Sequence, residues 1–179
     1  MDRQNNIIIQ SVNISMRKGT IKSPVDQADI ISEGIQGDAH SGPWHRQISL
    51  LSEQSLIDFK EVAGRTIEYG EFAENLTLEG IDLTNVNLLD RFYNDCFTLE
   101  VTQLGKKCHG GSCAIFREVG KCAMPDEGIF CRVVRAGKVK PGDMLHYHPK
   151  TFKALVVTLS DRASRGEYKD KSGSLIKEQ

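Results

Sequence analysis

Hydrophobic positions along this chain recur mainly at the two-residue spacing of β-strands. Phe97, Leu99 and Val101 alternate with Thr98, Glu100 and Thr102, the pattern of a half-buried strand. Ile7, Ile9 and Val12 supply the inward face of a first strand within residues 5–15, and Ile129 to Val134 reads as another. His45 to Leu51 predicts a short strand that leads into the one clear helix. There Leu56, Phe59 and Val62 recur at helical spacing beside Ile57, Ser52 suits the N-cap, Glu53 sits in the first turn and Gly64 is a natural stop. Ala136-Gly137-Lys138 and Lys140 to Asp143 read as turns around a short strand. Many short strands with one helix predict a mainly β fold, a barrel or sandwich, rather than an open α/β sheet.

Two segments break the pattern. Gly34 to Gln47 is dense in Gly, Pro, His and Asp, so it reads as a loop able to carry function. His146 to Lys150 marks a boundary. Beyond it Ala154 to Leu159 is apolar but for Thr158, which predicts a strand, followed by a polar loop and the start of a helix. That is the opening of an α/β unit too short to build its own core.

Composition narrows the class. The 179 residues suit one substantial domain, and 39% hydrophobic with 26% charged residues excludes wholesale disorder. A balance of 23 basic and 24 acidic side chains provides no overall field for nucleic acid or an anionic membrane. The apolar run at Ile7 to Ile9 is too short for a secretory signal, and no run reaches membrane length, so the expected compartment is the cytoplasm.

The candidate chemistry lies first in Gly105 to Val133. Of the five cysteines, Cys108, Cys113, Cys122 and Cys131 fall there, separated by four, eight and eight residues. Lys106, Lys107 and His109 flank Cys108, and nearby positive charge favours the nucleophilic thiolate. Three readings stay open: a reactive sulfur at Cys108 with Cys113 or Cys122 as resolving partners, a metal or iron–sulfur site from Cys108, His109, Cys113 and Cys122, or small buried thiols, the expectation for Cys131 and Cys96. A second group, Asp38, His40, His45 and Arg46, suits anion binding or proton transfer. In the alternative reading Asp38 caps a turn and Trp44 fills the core. A third group is Glu74 and Asn75 between Phe72 and Leu76, where a buried carboxylate needs a partner and Arg46 is the expected one.

At these residues the chain resembles the MOSC family, named for the C-terminal domain of molybdenum cofactor sulfurases. VNIS, KGTIKSPV, GIQGDAHSGPWHRQISLL, GEFAENLTLEGI, LEVTQLGKKCH, CAIF, MPDEGIFCRVV and GKVKPGDML carry the likeness in order over residues 5–146. The resemblance implies a closed β-barrel with a few short helices over residues 1–148. It implies binding of the molybdenum cofactor (molybdopterin) or sulfur transfer to it, with Cys108 as the persulfide carrier. The family's usual proline before that cysteine is Lys107 here. Lys106, Lys107, Arg46 and Arg132 would meet the pterin phosphate, and His40, His45 and His109 would handle protons. The implied partners are a sulfur donor such as a cysteine desulfurase and a molybdenum or tungsten enzyme or biosynthesis protein. Two alternatives remain, a non-catalytic molybdopterin carrier and a metal or iron–sulfur protein. Pyridoxal phosphate is not expected, because nothing resembles a desulfurase domain. Residues 149–179, through VVTLSDRASRGEYKDKSG, resemble the start of a molybdopterin adenylyltransferase domain without its catalytic carboxylates.

Overall fold

A computed structural model describes residues 6–107, 114–155, 157, 159–169, 171 and 176, without the side chains of residues 114 and 115. Seven strands close into a barrel: β1 (Ile7–Ile14), β6 (Leu76–Glu79), β5 (Ile48–Ser52), β9 (Ile129–Arg135), β8 (Thr98–Leu104), β7 (Arg91–Tyr93) and β11 (Met144–His148), which returns to β1 through Ile7↔Leu145 and Ile8↔Met144. The mainly β class anticipated from the strand spacing, and the closed barrel implied by the resemblance, are what the chain forms. β2 (Ser23–Val25) lengthens the sheet beside the second half of β1, while β3 (Ala28–Ile31), β4 (Gly34–Ile35) and β10 (Gly137–Val139) make a small second sheet.

A barrel this narrow is filled by its own side chains. Ile9, Leu50, Leu76, Leu78, Phe92, Leu99 and Val101 are fully buried in one cluster. On β1 the register shifts between Ile9 and Ser11, a bulge that changes which residues face inward partway along the strand. β5 and β6 run parallel, and parallel neighbours need a crossover. That crossover contains α1 (Glu53–Ala63), capped by the Ser52 hydroxyl, which accepts from the Gln54 N–H at 3.2 Å, and ended by Gly64 at φ 68°. Leu56 and Phe59 pack with Leu51, Phe72 and Phe130 in a second apolar cluster.

Several local expectations need correction. Val62 lies on the exposed side of α1, because the buried stripe is narrower than the apolar one. Gly137 and Lys138 belong to strand β10 rather than a turn, paired with Ile30 and Asp29. Cys96 is exposed in the β7–β8 turn, whereas Cys131 is buried as expected, and burial drives its thiol far above the ordinary range. Of the apolar run 154–159, the described residues form no strand, and Leu155, Val157 and Leu159 are exposed. Past it Asp161–Ser164 forms a single helical turn. Among the described residues no helix is long and apolar enough to cross a membrane.

On its outer face, beneath the loops, one sector of the barrel carries a buried polar layer, in alternation with the inward Ile9, Val12, Ile48, Leu50, Leu76 and Leu78. Ser11, Asn13, Ser49, Glu74, Asn75 and Thr77 are all buried where β1, β5 and β6 meet. Asn75 Oδ1 accepts from the Ser49 N–H at 3.1 Å, and its amide donates to the Asn13 carbonyl at 3.1 Å. Glu74 Oε1 accepts from the Gly70 N–H at 2.5 Å and the Thr77 hydroxyl at 3.1 Å, while its Oε2 has no partner. Arg46 is therefore not the partner of Glu74; backbone and hydroxyl donors take that place. Burial, only partly offset by these donors, pushes the Glu74 carboxyl up to about 7 from 4.5. Because the folded value exceeds the unfolded one, this group favours folding fully below pH 4.5 and loses that contribution as pH rises toward 7. The difference in unfolding free energy between the protein and Glu74→Gln should change by on the order of 3 kcal/mol across that window, at ~1.4 kcal/mol per pKa unit. Denaturant unfolding at a series of pH values measures it; parallel curves for the two proteins would contradict the assignment.

Candidate functional site

A cleft of about 390 Å3 opens against the outside of β5 and β9. Its walls come from three connections: the β1–β2 turn with Lys18 and Ile21, the β4–β5 loop with His40, Trp44 and Arg46, and the segment before β6 with Phe72, Ala73 and Asn75. Lys106, Cys122, Met124 and Phe130 complete the lining. The Arg46 guanidinium carbon lies 4.8 Å from the Trp44 ring centre and 5.9 Å from that of Phe130. Lys18 Nζ stands 5.5 Å from the Trp44 ring, and Lys106 Nζ 5.9 Å from the Phe130 ring. Three cations thus alternate with two aromatic faces, each contact contributing about 0.5–2 kcal/mol.

These cations lack the usual counter-charge. Among the described residues Lys18, Arg46 and Lys106 form no ion pair. Arg46 Nε is buried with no hydrogen-bond partner. The Glu71 carboxylate, also at the cleft, is taken up by Arg65 at 2.8 Å and by the Glu68 N–H. A buried donor left unpaired costs roughly 1–3 kcal/mol, so an acceptor brought to Arg46 would be favoured.

Behind the cleft lies an ion pair with neither side chain exposed. Lys22 Nζ donates to Asp38 Oδ2 at 2.5 Å. The Ser15 N–H donates to the same oxygen at 3.0 Å, and the His40 N–H to Oδ1 at 2.9 Å. Burial raises the Asp38 carboxyl, but the Lys22 ammonium and the N–H groups that donate to both its oxygens outweigh it and hold the group well below the ordinary carboxylate range. Burial also lowers Lys22, against the pull of Asp38. The Trp44 indole N–H donates to the His40 carbonyl at 2.7 Å, and the two rings lie near parallel with centres 6.5 Å apart. At the floor Ala73 has φ 62°, a left-handed conformation costing about 1–2 kcal/mol for a residue with a Cβ.

Of the residues singled out from sequence, His40, Arg46, Asn75, Lys106 and Cys122 line this cleft. Asp38 and Glu74 are buried beneath it, and Asp38 does bind turn backbone as its capping reading required. His45 is exposed outside it, within 3.0 Å of Gln103 Oε1, because successive residues of the loop turn their side chains apart. Lys107 is exposed, and Arg132 clasps Glu100 at 2.7 Å on the barrel exterior; neither lines the cleft. Cys108, His109 and Cys113 lie outside the described residues. Among the described residues no group of three or more His, Cys, Asp or Glu side chains could hold a metal. Sequence reasoning passed over Lys18, Lys22 and Phe130, and gave Trp44 a role only in the alternative reading, as core; it is half-buried and lines the cleft. Position of Trp44 between two histidines in a glycine-rich loop was the available signal.

No curated protein matches the chain. The fold is shared with solved structures. The YuaD protein from Bacillus subtilis aligns at a TM-score of 0.70 with 21% identity, over 82% of this chain and 97% of its own. YiiM from Geobacillus stearothermophilus aligns at 0.63 with 22% identity, over 79% and 74%. YiiM from Escherichia coli aligns at 0.56 with 18% identity, over 95% and 89%. At such identities the likeness concerns the fold. The family profile of the MOSC domain matches residues 37–146, a span that includes the His40–Arg46 loop, Asn75, Lys106 and Phe130. By that match the chain belongs to the MOSC domain family.

Proposed function

We propose that the cleft binds the molybdenum cofactor through its phosphate and flat pterin, and that Cys108 handles sulfur for it. A cofactor-related role is the coarse reading that family membership supports. The observation that carries the finer one is the set of three unneutralised cations on two aromatic faces, with Arg46 Nε buried and unpaired. Such a surface suits a ligand that is anionic and planar at once. Arg46, Lys18 and Lys106 would hold the phosphate, and Trp44 and Phe130 would offer flat apolar area. The cofactor, when bound, supplies a redox-active molybdenum or tungsten centre.

Cys108 follows the cleft residue Lys106 by two positions in the sequence, with Lys107 and His109 on either side to favour its thiolate. In the transfer reading this thiolate attacks the outer sulfur of a donor persulfide, such as that of a cysteine desulfurase. A new S–S bond forms on Cys108, the donor's S–S bond breaks, and the donor leaves as a thiolate, with no net oxidation. The acceptor would be a molybdenum or tungsten enzyme or a biosynthesis protein. The chemistry suits the cytoplasm, where thiols stay reduced. In this reading the resemblance of residues 149–179 to the start of an adenylyltransferase domain would belong to the same pathway. A carrier role without catalysis draws on the cleft itself, where the charged groups left without partners among the described residues are all cations.

Trp44 is the only tryptophan, so its fluorescence reports on the cleft alone. Arg46→Ala should weaken molybdopterin binding about 10- to 100-fold, the loss of a charge-assisted bond of ~1.5–3 kcal/mol. An unchanged titration would remove the cleft from the proposal. For the sulfur, protein purified anaerobically should carry cyanide-labile sulfur and one extra sulfur mass on Cys108, both lost in Cys108→Ala. Full pterin binding with no labile sulfur in the unaltered protein would favour the carrier.

A further inference from the structure

We infer that the neutral ring of His40 carries its proton on Nε2, as a hydrogen-bond donor to the cleft, and that the buried Lys22–Asp38 pair selects that tautomer. This rests on the cleft being the ligand site. Nδ1 of His40 lies 3.4 Å from Lys22 Nζ, within hydrogen-bond reach. An ammonium can only donate, so at that contact Nδ1 is the acceptor, and in a neutral ring the proton then sits on Nε2. The rival arrangement would have Nδ1–H donating to Asp38, as in a histidine made into a base by a carboxylate behind it. Two observations oppose it. Asp38 Oδ1 is 3.6 Å from Nδ1, beyond a hydrogen bond, and it already accepts the His40 backbone N–H at 2.9 Å. Asp38 Oδ2 is held by Lys22 and the Ser15 N–H.

The ring has little freedom to escape this contact. It lies within 9° of parallel to the Trp44 ring, and the Trp44 indole N–H binds the His40 carbonyl. A ring turned over would set a carbon against the Lys22 ammonium and forfeit the bond. The other edge of the ring borders the cleft, where His40 keeps 29% of its side-chain surface exposed. His40 thus adds a donor to the cationic wall formed by Lys18, Arg46 and Lys106. It would serve an acceptor oxygen of an anionic ligand and would not draw a proton from one. Lys22 and Asp38 touch no ligand; they are positioning residues.

The test uses the full chain, free of ligand, so its outcome is separate from whether molybdopterin binds. Protein labelled with 15N-histidine is examined by long-range 1H–15N correlation at about pH 8, where an ordinary imidazole is neutral. The His40 signals are identified by their loss in His40→Gln. The expected result is the Nε2–H tautomer alone, with Nδ1–H appearing beside it in the double variant Lys22→Met, Asp38→Asn. The double change removes both members of the pair, so neither Lys22 nor Asp38 is left as a buried charge without the other. A His40 signal of the Nδ1–H form in the unaltered protein overturns the inference. So does an Nε2–H signal that stays the sole form in the double variant. Should that variant fail to fold, the tautomer in the unaltered protein decides by itself.

Discussion

The buried contact of Lys22 with Asp38 joins the walls of the cleft. Lys22 ends the β1–β2 turn that brings Lys18, and Asp38 begins the loop that brings His40, Trp44 and Arg46. Lys22 also ties to the third wall through its backbone, whose N–H donates to the Gly70 carbonyl at 2.9 Å. Gly70 has φ 89°, and a Cβ there would stand 2.2 Å from the Lys22 carbonyl oxygen, so glycine is required at this crossing. Two charges without exposure are costly to desolvate, and they persist because each is neutralised by the other and Asp38 by two backbone N–H groups as well. One lysine therefore fixes three loops that a barrel alone would leave to chance.

What those loops enclose is charge left open. Elsewhere buried or half-buried carboxylates are matched to arginines: Glu71 to Arg65, and Glu100 to Arg91 and Arg132. In the cleft three cations rest on aromatic faces and form no ion pair among the described residues, the cleft's one carboxylate, Glu71, being held by Arg65. The strained Ala73 and the unpartnered atoms of Arg46 and Glu74 gather at or beneath this same place. Strain and unpaired polar groups tend to collect where a protein meets a ligand rather than where it stabilises itself. The buried polar layer on the outer face of β1, β5 and β6 extends this departure beneath the cleft, while the barrel interior stays apolar.

Residue spacing was enough for the mainly β class, for β1, β8 and β9, and for α1 with both its caps, because alternation and capping are local properties. The ordered motifs also pointed to the family that the profile match bears out. Five of the nominated site residues line one cleft, since the loop that bears His40 and Arg46 announces itself by composition. Local pattern could not place the others. Arg132 is one residue past Cys131 on β9, and the period of two turns it outward to Glu100. His45 is separated from His40 by only a few positions, yet a loop without regular period gives no rule for which side chain faces the ligand.

The amino-acid order by itself determined the strands, the helix and the chemical types available, because those depend on neighbours along the chain. Only the closed barrel decided that Lys18, Trp44, Arg46, Lys106 and Phe130 should share one cleft, and that Lys22 should reach Asp38 and His40. Those contacts join residues far apart in sequence, and their geometry comes from strand register and loop closure, which no local spacing encodes.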